Sequence, residues 1–188
     1  ATTYEYIVGS PTADIWLHAH TFTTAPANGQ PFAFVFLGDI QEGIPETKAM
    51  LCEAMLRHPA ANLYLAAGDF VSMGGNRNSW DSLFDGEDNV FAYKTLAPAV
   101  GNHDLYVYRK SADLIYYAFF TLPENEAVGV TDESTYGFAY GDAYFIVLDT
   151  NRLLWPQKRW LEALLQKPEL EQFNWKIVLM HEPVYNIR

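Results

Sequence analysis

The chain has 188 residues, room for one domain with a real core or for one domain and a piece of another. Apolar residues make up 49%, which excludes a disordered chain, and no apolar run approaches the roughly 18 residues of a membrane helix. With 12 basic and 23 acidic residues the formal charge is −11, which argues against nucleic-acid backbones as a main partner but leaves phosphate esters open, because bound cations would dominate the local field.

Residues 1–30 differ in character from the rest of the chain. Tyr4, Tyr6 and Val8 alternate with Glu5 and Ile7 until Gly9-Ser10-Pro11 breaks the run, and residues 15–24 are again extended in character. This predicts two antiparallel strands with a turn between, which cannot bury a core alone. His18 and His20 share a face of such a strand, as a zinc pair would. No third ligand lies nearby, so they are expected to be surface or strand-packing residues.

The continuous apolar run 32–37 predicts a strand covered on both faces, ending at Gly38-Asp39-Ile40-Gln41. Residues 45–57 have helical spacing, with Ala49, Met50, Cys52, Ala54, Met55 and Leu56 as the apolar face and Pro45 in the first turn. Cys52 is the single cysteine, so an internal disulfide and a Cys-based zinc site are both excluded. Residues 63–67 predict a second strand, ending at Gly68-Asp69. Strand, helix, strand is a βαβ unit, and here it sets two carboxylates at the same edge of a parallel sheet.

Residues 80–84 predict a short helix. The run 96–100 then empties into Gly101-Asn102-His103-Asp104. Asn102 offers an amide oxygen to a hard cation. His103 offers an imidazole that titrates near neutrality, and Asp104 is placed to orient that ring. Next come a helix over 111–122, a hairpin of 136–140 with 143–148 around Gly141-Asp142, a helix over 156–166 and a strand over 175–180, the last ending at His181-Glu182-Pro183. Four apolar runs thus end in potential metal ligands: Asp39, Asp69, Asn102 and His181. They are expected to converge on one edge of a sheet.

These endings resemble the motifs of the calcineurin-like metallophosphoesterases: Gly-Asp, a second Gly-Asp, Gly-Asn-His-Asp/Glu, a strand-terminal His and a late Gly-His-x-His. The match runs over 32–188 as Gly38-Asp39, Gly68-Asp69, Gly101-Asn102-His103-Asp104 and Met180-His181-Glu182-Pro183. The alternation Tyr4-x-Tyr6-x-Val8 and the stretch Phe22-Thr23-Thr24-Ala25-Pro26 are similar to the purple acid phosphatases. In that branch the end of a fibronectin-like sandwich leads into the catalytic domain. The resemblance implies an α/β fold, a four-layer αββα sandwich expected to be C-terminally incomplete. It is preceded over residues 1–30 by the last strands of an N-terminal β-sandwich, with residues 31–188 as the phosphoesterase domain. It also implies two divalent or trivalent metal ions (Mn, Fe or Zn), with Asp69 bridging, Asp39 on one, and Asn102 and His181 on the other. Two such cations lower the pKa of a shared water, and the hydroxide attacks the phosphorus of a small phosphate monoester. His103 would stabilise the transition state or protonate the leaving alkoxide, with Asp104 holding its tautomer.

The chain departs from that pattern in three places. Gln41 stands where many members have a histidine, either as a ligand or as a hydrogen bonder beside the ligands. Ser72 stands where purple acid phosphatases carry the tyrosine that colours their iron. No histidine comes directly after a glycine, so the late Gly-His-x-His pair is missing and each metal is short of one ligand. The expected product is a piece of a larger enzyme, weakly active or inactive alone, completed by a further C-terminal segment or a second chain. An extracytoplasmic location is implied by the sandwich-like start. Tyr106, Tyr108, Arg109, Asn76, Arg77, Asn151 and Arg152 are further cleft candidates, each more readily an ordinary loop residue. The competing reading is a non-catalytic surface or binding module that keeps the phosphoesterase fold.

Overall fold

A computed structural model describes residues 1–86, 89–105, 113–124, 129–152, 154–183 and 185. The N-terminal stretch forms four short strands rather than two: β1 (Thr3–Tyr6), β2 (Gly9–Ser10), β3 (Ile15–Trp16) and β4 (His20–Thr23). β1 pairs antiparallel with β4, and β2 with β3. The stretch rests on the rest of the chain through the Tyr6 hydroxyl, which donates to the Ala92 carbonyl at 2.7 Å, and through His20, whose ring meets Tyr93 edge-on at 5.1 Å. His20 is thus a packing residue.

The parallel sheet is built from β5 (Ala33–Leu37), β6 (Ala61–Ala66) and β7 (Thr95–Pro98) in the order β5-β6-β7. Helices α1 (Ile44–Arg57), α2 (Arg77–Phe84) and α3 (Asp113–Phe119) belong to the same part of the chain. The second sheet, in the order β10-β9-β8, takes the hairpin β8 (Tyr136–Tyr140) and β9 (Ala143–Leu148), then β10 (Trp175–Met180), parallel to β9. Helix α4 (Leu154–Leu165) lies between β9 and β10 in sequence.

Alternation along β6 shows how the layers stack. Tyr64 and Ala66 face a core shared with Leu51 of α1, Trp80 and Leu83 of α2, and Tyr116 of α3. Leu63 and Leu65 face the opposite way, onto Tyr136, Phe145, Val147 and Leu179 of the second sheet. The far side of that sheet carries Ile146 against Leu164 of α4. The result is helix, sheet, sheet, helix, four layers deep. Burying a side chain such as Leu63 contributes about 1.5–3 kcal/mol.

Two expectations about burial fail. β5 is an edge strand, and Phe36 is 61% exposed, so the run 32–37 is not covered on both faces. On α1, Met50 and Leu56 lie outward, while the buried residues are Thr47 and Leu51, with Ile44 and Met55 packed beside them. Those four positions recur at intervals of three and four, as a single helix face requires. Among the described residues no helix is long and apolar enough to cross a membrane.

Trp80 connects this core to the strand ends. Fully buried, its indole N–H donates to the Gly74 carbonyl at 2.8 Å, while the Gly74 amide donates to the His103 carbonyl at 2.9 Å. The loop after β6 is therefore fastened on one side to the aromatic core and on the other to the loop after β7.

Candidate metal centre

Asp39 follows β5, Asp69 follows β6, Asn102 follows β7 and His181 follows β10. The structure brings all four together, but at a seam between two sheets rather than along one edge. The first three leave the parallel sheet and His181 leaves the second. One ligand atom from each of Asp39, Asp69 and His181 lies within 4.8 Å of the others. His181 Nε2 is 2.9 Å from Asn102 Oδ1 and 3.5 Å from Asp69 Oδ1. Gln41 joins them, its Nε2 donating to Asp69 Oδ2 at 3.1 Å.

The backbone carries a cost at two of these positions. Asp39 and Asp69 sit in the left-handed region, with φ of 49° and 56°. Each residue with a Cβ costs about 1–2 kcal/mol there. Such strain, at the ends of two neighbouring parallel strands, is characteristic of functional sites. Gly68 precedes Asp69 with φ of 88°, and a Cβ on it would lie 2.9 Å from His181 Nδ1.

The residues fit a cation on the chemistry of their donors. His181 Nδ1 is 2.7 Å from the Ala67 carbonyl, so the ring proton belongs on Nδ1. That leaves Nε2 facing Asn102 Oδ1 and Asp69 Oδ1, two oxygen acceptors. Oxygens brought this close to a ring nitrogen are stabilised by positive charge, which a bound cation supplies. Gln41 Oε1 adds a buried oxygen with no hydrogen-bond partner among the described residues. The site could hold a metal through Asp39, Asp69, Asn102 and His181, with Gln41 beside them.

Asp104 does not orient His103. Its carboxylate is fully buried and points back into the chain. One oxygen accepts from the amides of Asp69 and Gly101, both at 2.9 Å, and the other from those of Phe70 at 2.8 Å and Val71 at 3.4 Å. Burial pushes this carboxyl up to about 7, against the pull of those amides. His103 is oriented instead by the Ser72 carbonyl, 3.0 Å from Nδ1, and its backbone amide donates to Asp69 Oδ1 at 2.9 Å.

The same residues fall within a match to known proteins: the profile of the calcineurin-like phosphoesterase family covers residues 32–188. The chain belongs to the calcineurin-like phosphoesterase family. Its curated relatives include a purple acid phosphatase of Glycine max, 27% identical over 97% of this chain and 41% of that protein. Another is the Fe(3+)-Zn(2+) purple acid phosphatase 12 of Arabidopsis thaliana, 24% identical over 98% of this chain and 41% of that protein. The purple acid phosphatase PPD1 of yellow lupin (Lupinus luteus) seeds shares the fold, with a TM-score of 0.67 at 17% identity, over 95% of this chain and 35% of that one. The chain thus spans about two-fifths of the length of the curated relatives it matches.

As a calcineurin-like phosphoesterase, the chain has a place for some residues that its sequence left as ordinary loop. Gly74 is one: a Cβ there would sit 1.7 Å from the Asp104 carbonyl oxygen. The signal in the sequence was the Gly74-Gly75 pair a few residues past Asp69. Two cleft candidates prove structural. The Asn76 side chain caps α2 by accepting from the Asn78 amide, and Arg77 pairs with Asp81 at 2.7 Å while lying over the Phe119 ring. Tyr106, Tyr108 and Arg109 lie outside the described residues.

Proposed function

We propose that this chain carries metal-binding and proton-transfer groups of a hydrolase that cleaves phosphate monoesters. The observation that supports this most is the convergence of Asp39, Asp69 and His181 within 4.8 Å, with Asn102 Oδ1 2.9 Å from His181 Nε2, in a chain of the phosphoesterase family. Asp39, Asp69 and Gln41 would hold one cation, and Asp69, Asn102 and His181 a second. Mn, Fe and Zn all accept such mixed oxygen and imidazole donors. Bound there, the cations supply Lewis acidity, which activates water and clamps phosphoryl oxygens. His103 stands next to this cluster because its amide is tied to Asp69 Oδ1. With the Nδ1 proton directed at the Ser72 carbonyl, Nε2 is the ring atom that hands a proton to or from the leaving oxygen.

Titration calorimetry of the 188-residue chain with manganese, zinc and iron, beside p-nitrophenyl phosphate hydrolysis, tests the proposal. The expected result is weak, saturable binding and slow turnover that rises with added metal, both lost in Asp69→Asn. No binding of any of the three cations overturns the metal reading. One observation favours a second reading, a non-catalytic module that keeps the fold. Gln41 places its amide nitrogen, not its oxygen, against Asp69, so a proton occupies one edge of the carboxylate that would bridge the metals. Saturable metal binding with no turnover, even at high enzyme concentration, would select that second reading.

Ser72 bears on colour. Its backbone carbonyl holds His103, and it brings no phenol to the place three residues after Asp69. Iron-loaded protein is therefore expected to show no tyrosinate-to-iron band in the visible. An intense visible band on ferric loading would show that another tyrosine reaches the metal.

A further inference from the structure

Asn102 and His181 meet across the seam between the two sheets, and something must fix how closely those sheets approach there. The short loop 149–152 after β9 touches both sides of the seam. The Asn151 side-chain amide donates to the Val100 carbonyl at 2.9 Å, just ahead of Gly101 and Asn102. The Thr150 hydroxyl accepts from the Glu182 amide at 2.9 Å, immediately after His181.

The loop is itself held from beneath. Asp149 is fully buried, and its Oδ1 accepts from the Asn151 amide at 3.0 Å and from the Asn151 side chain at 3.3 Å. Its Oδ2 lies 3.1 Å from Arg152 Nε. Buried Gln157 of α4 grips the Asp149 backbone at both ends, accepting from its amide at 2.9 Å and donating to its carbonyl at 2.6 Å. A loop fastened this way is a fixed point from which two hydrogen bonds reach out, one to each metal-residue segment.

We propose that the 149–152 loop is a clamp that sets the spacing of Asn102 and His181, with Thr150 and Asn151 as positioning residues. The inference rests on reading Asn102 and His181 as ligands. The Thr150 hydroxyl is engaged by the Glu182 amide and the Asn151 amide by the Val100 carbonyl. Each acts through the peptide next to a ligand, as groups behind a metal's ligands commonly do.

Thr150→Val keeps the shape and removes the acceptor, and Asn151→Ala removes the donor. In each, the Kd for Mn2+ of the 188-residue chain is expected to rise roughly 10–100-fold. The urea midpoint of the metal-free chain should change little in Thr150→Val, because the Glu182 amide lies at the surface and finds water. Thr150→Ser restores the hydroxyl and should return the affinity toward the parent value. A second readout needs no metal: the ring nitrogen shifts of His181 in the metal-free chain should move in Thr150→Val and return in Thr150→Ser. Unchanged Kd and unchanged shifts in both disrupting variants overturn the clamp, as does a serine variant that fails to restore what valine lost. If the parent chain binds none of manganese, zinc and iron, the proposed function falls by that result, and the His181 shifts still decide whether the loop positions the ring.

Discussion

Asp104→Asn is expected to cost the fold about 4 kcal/mol. The value comes from counting donors. Four backbone amides, from Asp69, Phe70, Val71 and Gly101, point at the two oxygens of this fully buried carboxylate. An asparagine keeps one oxygen and replaces the other with an N–H2 group. Whichever way the amide turns, two buried backbone donors then face another donor and lose their only acceptor. A buried donor left unsatisfied costs about 1–3 kcal/mol, so two give a loss in the middle of the range of about 2–6 kcal/mol. Urea unfolding at pH 8, above the raised pKa and so with the carboxylate charged, is the measurement, read as a fall in midpoint with the slope unchanged. The alternative reading, Asp104 as an orienter of His103, predicts a different pattern. It would leave stability within about 0.5 kcal/mol and reduce only turnover, as substitutions away from buried networks do.

How far the sequence reached is best seen at these same residues. Gly38-Asp39 and Gly68-Asp69 were legible because the signal is local: an apolar run, then a glycine, then a carboxylate at the point where the strand stops. The role of Asp104 was not legible. Adjacency to His103 suggested a pair, but the two side chains leave the turn in different directions, and the carboxylate reaches back to amides 33 to 35 residues earlier. The apolar run 63–67 announced a second strand and did not say what would cover it. Helices cover one face and a second sheet the other. That second sheet is why four candidate ligand residues expected on one edge meet at a seam. The run 32–37 misled because hydrophobicity reports what a strand could bury, not whether it has a neighbour, and β5 is an edge. On α1 the apolar residues were too many to fix a phase, and Leu51, left out of the expected face, is the one most fully buried. The clamp at Thr150 and Asn151 had no local signature, since its two bonds span 32 and 51 residues.

Gly101→Ala is expected to abolish metal binding and to destabilise the chain by about 3 kcal/mol. A Cβ at position 101 would lie 2.2 Å from both the amide nitrogen and the Oδ1 of Asp69. Neither atom can retreat cheaply. The amide is already bonded to Asp104, and Oδ1 accepts from the His103 amide at 2.9 Å while lying 3.5 Å from His181 Nε2. Relief requires Asp69 to swing away, which breaks those contacts together and withdraws the carboxylate that the whole site shares. Overpacking of this kind typically costs about 1–3 kcal/mol, and the broken hydrogen bonds put this case at the upper end. Gly29 provides the control. Its φ is 81°, yet nothing lies within 4 Å of a Cβ built there, so Gly29→Ala carries only the backbone penalty of about 1–2 kcal/mol and leaves metal titrations unchanged. The pair separates two reasons for a glycine, a left-handed φ and a close approach. If Gly101→Ala titrates with Mn2+ as the parent chain does, Asp69 is not the shared ligand and the site geometry must be rebuilt around another residue.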